Sequence, residues 1–271
     1  MELRVTILGS GTCVPRLDRS ACAVLVEAGQ AKILMDLGPG TMRRLLATGT
    51  TIFDLTHIFL SHFHPDHTSE LAPLIFSTKY PDGTRRTHPL TVFGGRGLID
   101  FYEGLQAAYA DWIVLPEHQL QFQELDTTEG ETVRMGNVTV SVRPVQHRPE
   151  SLACRVDSPG GVSMVYSGDT DMCDSLGHLA RRADLFVCES AFPDDQKVPG
   201  HLTPSLAGKI ASRAEAKRLV LTHLYPPSEG VDIVKQARST YKGEIVVAED
   251  LMSFEFDTAA FCKSTRGKQD R

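Results

Sequence analysis

Apolar positions in this chain come in short runs that stop abruptly on turn-forming or polar residues. Residues 3–8 form an apolar strand ending at Gly9-Ser10-Gly11, and 23–27 and 32–35 flank Ala28-Gly29-Gln30 as a hairpin. Asp36-Leu37-Gly38-Pro39-Gly40 reads as a turn, 41–48 as a helix, and 57–60 as a strand running straight into a polar cluster. In the centre, 90–93 is a strand, Gly94-Gly95-Arg96-Gly97 a turn, and the helix after it reaches about Tyr109. Strands follow at 119–125, 132–135, 138–144, 153–156 and 163–167. The last part alternates: helix 174–182, strand 185–188, helix 204–214, strand 218–222, helix 232–240, then strands 244–248 and 251–256. Strands fill the middle of each half and helices cluster towards its end. That order predicts an α/β fold of two sheets packed together with helices outside. No repeat or long linker divides the chain. Residues 1–262 read as one domain, and the polar stretch 263–271 as a disordered tail.

Composition narrows the class. With 41% hydrophobic residues the chain can fill a sizeable core, and no apolar run is long enough to span a membrane. The start, MELRVTILGSGT, reads as a strand and not as an export signal. Six cysteines (Cys13, Cys22, Cys154, Cys173, Cys188, Cys262) include no CxxC pair, which suits a reducing cytoplasm. The formal net charge of −6 disfavours broad nucleic-acid binding. An RNA would need a local patch: Arg85-Arg86, Arg143 with Arg148, or the tail. Each reads more simply as a solvated face.

The chemistry sits where apolar runs end, on the loops by which a rigid scaffold presents functional groups. The stretch SHFHPDH, 61–67, places His62, His64, Asp66 and His67 directly after the strand 57–60. His62 and His64, two apart, can reach one ion from an extended turn. Asp66 and His67 continue the turn and can face a second. Three single residues follow later strands in the same way: His147, Asp169 and His223. Imidazole nitrogen and carboxylate oxygen suit zinc, and a pair of ions about 3.5–4 Å apart needs a shared ligand, a task for a carboxylate. His57, His88, His118 and His178 sit in no such pattern and read as structural or surface residues. The Gly94–Gly97 turn lacks the Lys-Ser/Thr of a phosphate loop.

HxHxDH followed by a lone His, a lone Asp and a lone His resembles the metallo-β-lactamase superfamily, over nearly the whole chain from Leu3 to Phe256. The resemblance implies an αββα sandwich, two mixed sheets flanked by helices, with metal at one edge between the sheets. It implies that His62, His64 and His147 hold one divalent ion, that Asp66, His67 and His223 hold a second, and that Asp169 bridges. Histidine at 64, where the diiron members carry glutamate, favours a hydrolase using zinc, with manganese as the alternative. Three further segments are similar to ribonuclease Z and its relatives: LGSGTCVPRLDRSACAVLV, MDLGPGT and, at 200–211, GHLTPSLAGKIA. VCESAF resembles their H-E-A-T-F segment, with Glu189 retained and Cys188 in place of the histidine. This implies His201 as electrophile or general acid, Glu189 as its orienting partner, and Asp66 as partner of a hydroxide bridging the metals.

One departure bears on substrate. Ribonuclease Z carries a long tRNA-gripping arm between the motifs matched by His147 and Asp169. Here one hairpin with Pro159-Gly160-Gly161 at its tip fills that interval. The expected enzyme is therefore a binuclear metal-dependent phosphodiesterase acting on a small phosphodiester or nucleotide-like substrate, with no membrane partner. Relatives of this kind are often homodimers. The alternatives are ribonuclease Z itself, an ester, thioester or lactam hydrolase of the same fold, or a non-enzymatic metal sensor.

Overall fold

The computed structural model describes residues 2–80 and 86–257. The expected tail at 263–271, Cys262 and Arg85 lie outside the described residues. The first six strands are β1 (Leu3–Gly9), β2 (Ala23–Ala28), β3 (Ala31–Met35), β4 (His57–Leu60), β5 (Leu90–Gly94) and β6 (Leu120–Glu124). The next seven are β7 (Thr132–Met135), β8 (Val138–Pro144), β9 (Leu152–Asp157), β10 (Ser163–Tyr166), β11 (Leu185–Glu189), β12 (Arg218–Thr222) and β13 (Glu244–Val247). The last, β14 (Ser253–Phe256), returns to pair with β1. The two seven-stranded sheets run β14-β1-β2-β3-β4-β5-β6 and β13-β12-β11-β10-β9-β8-β7. Each is antiparallel at one end and parallel at the other, because hairpins join its early strands and helical crossovers its later ones.

Both faces of β1–β5 and of β9–β12 are largely buried, which explains strands that are apolar nearly throughout, whereas β6, β7, β8, β13 and β14 keep exposed or half-exposed positions. Val5, Val24, Ile33, Met35 and Phe59 of the first sheet meet Val140, Val156, Met164 and Val187 of the second in a central layer. The outer face of the first sheet, with Leu25, Leu34 and Ile58, packs under α1 (Thr41–Ala47), α3 (Leu71–Lys79) and α4 (Leu98–Tyr109) through Leu45, Leu74 and Leu98. That of the second, with Val165, Phe186 and Leu219, packs under α5 (Asp174–Leu179), α6 (Pro204–Arg213) and α7 (Ile233–Arg238) through Leu176, Ile210 and Ala237. Full burial of such aliphatic side chains stabilises by about 1.5–3 kcal/mol each. The architecture is the expected αββα sandwich.

The structure differs from the sequence expectation in three places. Asp66 and His67 lie on a short helix, α2 (Pro65–Thr68), and not on a continued turn. Pro65 starts it, since a first helical position needs no N–H donor. α3 was not predicted: Pro73 lies in its first turn, where proline is tolerated, and its apolar residues make no clean stripe. The final strand begins at Ser253 and not at 251, because Leu251 adopts φ 68°, outside extended geometry.

Candidate metal centre

His62, His64, Asp66 and His67 emerge at the C-terminal end of β4. His64, before proline, is extended (φ −63°, ψ 147°), and the α2 turn then reverses the chain, with the His67 N–H donating to the His64 carbonyl at 3.0 Å. The turn is seated on the preceding loop. Leu37 N–H donates to the His67 carbonyl at 2.8 Å, and Gly38 lies so close that a Cβ there would fall 1.8 Å from the Asp66 carbonyl oxygen. The second sheet supplies His147 after β8, Asp169 after β10 and His223 after β12. His223 and Asp36 both take φ 58°, a left-handed conformation uncommon for non-glycine residues and concentrated at functional sites.

The structure brings all seven residues together. The donor atoms of His62, His64, His147 and Asp169 lie within 4.8 Å of one another, as do those of Asp66, His67 and His223. Asp169 stands between the groups. Its Oδ1 is 3.3 Å from both His67 Nε2 and His223 Nε2, and its Oδ2 is 3.7 Å from His62 Nε2 and 3.9 Å from His147 Nε2. Asp66 Oδ2 lies 3.7 Å from His223 Nε2.

The outward nitrogens fix which ring atom faces inward. Asp36 Oδ2 accepts from Ser61 Oγ, Tyr166 OH and His67 Nδ1, each at 2.7 Å. Ser61 has then used its proton and accepts from His62 Nδ1 at 3.0 Å. His147 Nδ1 donates to the Gly200 carbonyl at 3.0 Å. In all three rings Nε2 is turned into the cluster. Outer partners that orient ligating histidines in this way are the rule at metal sites. Sequence reading took Asp36 only as part of a turn, although it too is a polar residue ending an apolar strand.

These residues fit divalent metal. His62 Nε2 and Asp169 Oδ1 are each buried with no hydrogen-bond partner, a costly state unless an ion lies beside each. His67 Nε2 and His223 Nε2 face each other at 3.3 Å, as do His147 Nε2 and His64 Nδ1 at 3.2 Å. Burial lowers the pKa of His62, His64 and His147, keeping them neutral as ligands must be. Burial opposes charge on His67 as well, but Asp169 and Asp36 outweigh it and hold its pKa well above the usual value. A field that would keep a proton on that ring also favours a cation there. Burial likewise opposes ionisation of Asp169, yet His223 and His67 hold it well below the usual carboxylate range.

Beside the cluster, Glu189 is 1% exposed at the end of β11. Its Oε1 accepts from His201 Nδ1 at 3.0 Å and Thr170 N–H at 2.8 Å, and its Oε2 from Leu202 N–H at 3.1 Å. The His201 ring stacks on His223, with centroids 5.6 Å apart and planes at 14°. Burial pulls the His201 pKa down, but the hydrogen bond and charge of Glu189 outweigh it and raise the pKa overall. Phe192 and Tyr225, stacked at 4.5 Å, flank His201 and were not singled out by sequence. Cys188 is buried among apolar side chains, and His57 and His178 join none of the donor groups among the described residues. Arg86 is no solvated cation: it donates to the carbonyls of Leu55 and Ile52.

A model of the beta-lactamase superfamily domain matches residues 31–224. An uncharacterized protein of Mycobacterium tuberculosis is 31% identical over 252 residues, covering 90% of this chain and 89% of its own. A ribonuclease Z of Mycobacterium bovis is 30% identical over 280 residues, covering 93% and 98%. Among solved structures, the metallo-beta-lactamase fold protein YhfI of Bacillus subtilis superposes with a TM-score of 0.80 at 25% identity, covering 93% of this chain and 98% of that one. With the sandwich, the ordered histidine and aspartate positions and these likenesses together, the chain belongs to the metallo-β-lactamase superfamily of hydrolases.

Proposed function

We propose that this hydrolase is a binuclear metal-dependent phosphodiesterase acting on a small phosphodiester. The observation that carries the reading is the placement of Asp169, whose two oxygens face two different histidine groups. His62, His64 and His147 would hold one ion, Asp66, His67 and His223 the other, with Asp169 shared. The nitrogen and oxygen donors suit zinc, with manganese as the alternative. Divalent ions bound there supply a water of pKa near about 7 and neutralise phosphate oxygens.

The chain's own residues do the rest. Asp66 holds its ion and orients the attacking water. His201, with Nδ1 fixed on Glu189, turns Nε2 towards the cleft and donates a proton to the leaving oxygen. Its raised pKa keeps that proton available near neutrality. The likeness to ribonuclease Z supports a phosphodiester. The short β9–β10 hairpin between His147 and Asp169 supports a small substrate over tRNA. Residues 1–262 are one domain in this reading, and the five described cysteines, all free thiols, support a cytoplasmic location. Among the described residues no helix is long and apolar enough to cross a membrane. Purified, metal-loaded protein should hydrolyse bis-p-nitrophenyl phosphate and leave thioesters and lactams intact. Preference for a thioester or lactam refutes the reading, and efficient, salt-sensitive cleavage of a pre-tRNA replaces it with ribonuclease Z.

A further inference from the structure

A carboxylate outside both donor groups ties His147 to His201. Asp171 lies just past Asp169, and its own N–H donates to the Gln146 carbonyl at 2.8 Å, one residue before His147. Its side chain reaches the other way. Oδ2 accepts from the Gly200 N–H at 3.0 Å and from Lys197 Nζ at 2.8 Å, while Oδ1 accepts from the Met172 N–H at 2.8 Å. Gly200 in turn accepts from His147 Nδ1 and immediately precedes His201. Gly200 holds φ 85°, and a Cβ there would sit 3.2 Å from His147 Nδ1. The residues leading to it, 194–199, are all exposed and bury nothing that would hold the loop in place. Asp194 fixes the near end of that loop, accepting from Ser205 N–H at 3.1 Å. Asp171 and Lys197 fix the far end.

We propose that Asp171, paired with Lys197, is a positioning residue that aims His147 Nε2 at its ion and places His201 beside the second, both through Gly200. The inference rests on the reading of His147 as a metal ligand, and it does not depend on which ester is cleaved. The test is stepwise cobalt(II) binding to the full chain, followed by visible absorption and elemental analysis. Asp171→Ala should weaken one of the two binding steps by about 10–100-fold, the usual effect of losing an outer partner of a ligand. The other step should stay unchanged, and kcat should fall more than KM rises. Asp171→Asn keeps an oxygen for the Gly200 N–H and should restore most of the affinity. Gly200→Ala, which displaces His147 and leaves Asp171 in place, should reproduce the Asp171→Ala pattern.

Wild-type affinity for both ions in Asp171→Ala and Gly200→Ala overturns the proposal. Equal weakening of both steps together with a lowered melting temperature also overturns it, because Asp171 is then a general prop. If Asp171→Ala does not fold, Gly200→Ala and Lys197→Met decide the matter by the same readout. Two-step metal binding with no phosphodiester hydrolysis by the wild type defeats the functional reading and leaves this inference standing.

Discussion

Asp36 Oδ2 lies 2.7 Å from His67 Nδ1 and, through Ser61 Oγ, two hydrogen bonds from His62 Nδ1. One buried carboxylate thus fixes the tautomer of a histidine in each donor group. Asp36→Ala should weaken both ions, each by about 10–100-fold. Metal titration of the purified variant checks this, and a defect confined to one ion would break the relay through Ser61.

Asp66→Ala should abolish turnover and lose the ion held with His67 and His223. The far-ultraviolet circular dichroism should be retained, because Asp66 packs at the cleft and not in the core layers. Activity near that of the wild type in this variant would sink the mechanism.

His201→Ala should lower kcat by about 10²–10⁴-fold, the range for a general acid, while elemental analysis still finds both ions. Loss of metal instead would move His201 into the ligand set.

Glu189→Gln tests the same residue through pH. Glu189 raises the His201 pKa, so the protonated form survives above the ordinary value of about 6.5 and activity declines as pH rises through the raised value. Removing the carboxylate's charge lowers that pKa. The alkaline limb of the kcat/KM profile should therefore move to lower pH, and an unmoved limb assigns it to another group.

Wild-type protein should contain close to two ions per chain, and chelation should lower its melting temperature. An ion present at a hundred times its Kd stabilises by about 2.7 kcal/mol, so the shift should be several degrees. A firm content of one ion per chain would refute the paired site.

The seven donors were legible in the sequence because each ends an apolar run, and a strand end is visible in composition. Glu189 and His201 were legible only through their likeness to known segments. Neither spacing nor burial pattern marks them, as the two meet only when β11 and the start of α6 are packed together. Gly200 was invisible as an actor because it works through its carbonyl and a left-handed backbone. Helix α3 was missed because its exposed face carries Pro73 and Phe76, so no polar stripe marks that side.

The donors divide between the sheets. His62, His64, Asp66 and His67 follow a strand of the first, while His147, Asp169 and His223 follow strands of the second. Neither donor group is complete within one sheet, since the first needs His147 and Asp169 and the second needs His223. A chain still leaving the ribosome, with only its early strands formed, therefore has no finished ion site. On the proposed ligand assignment, full metal capture therefore requires both sheets to have formed.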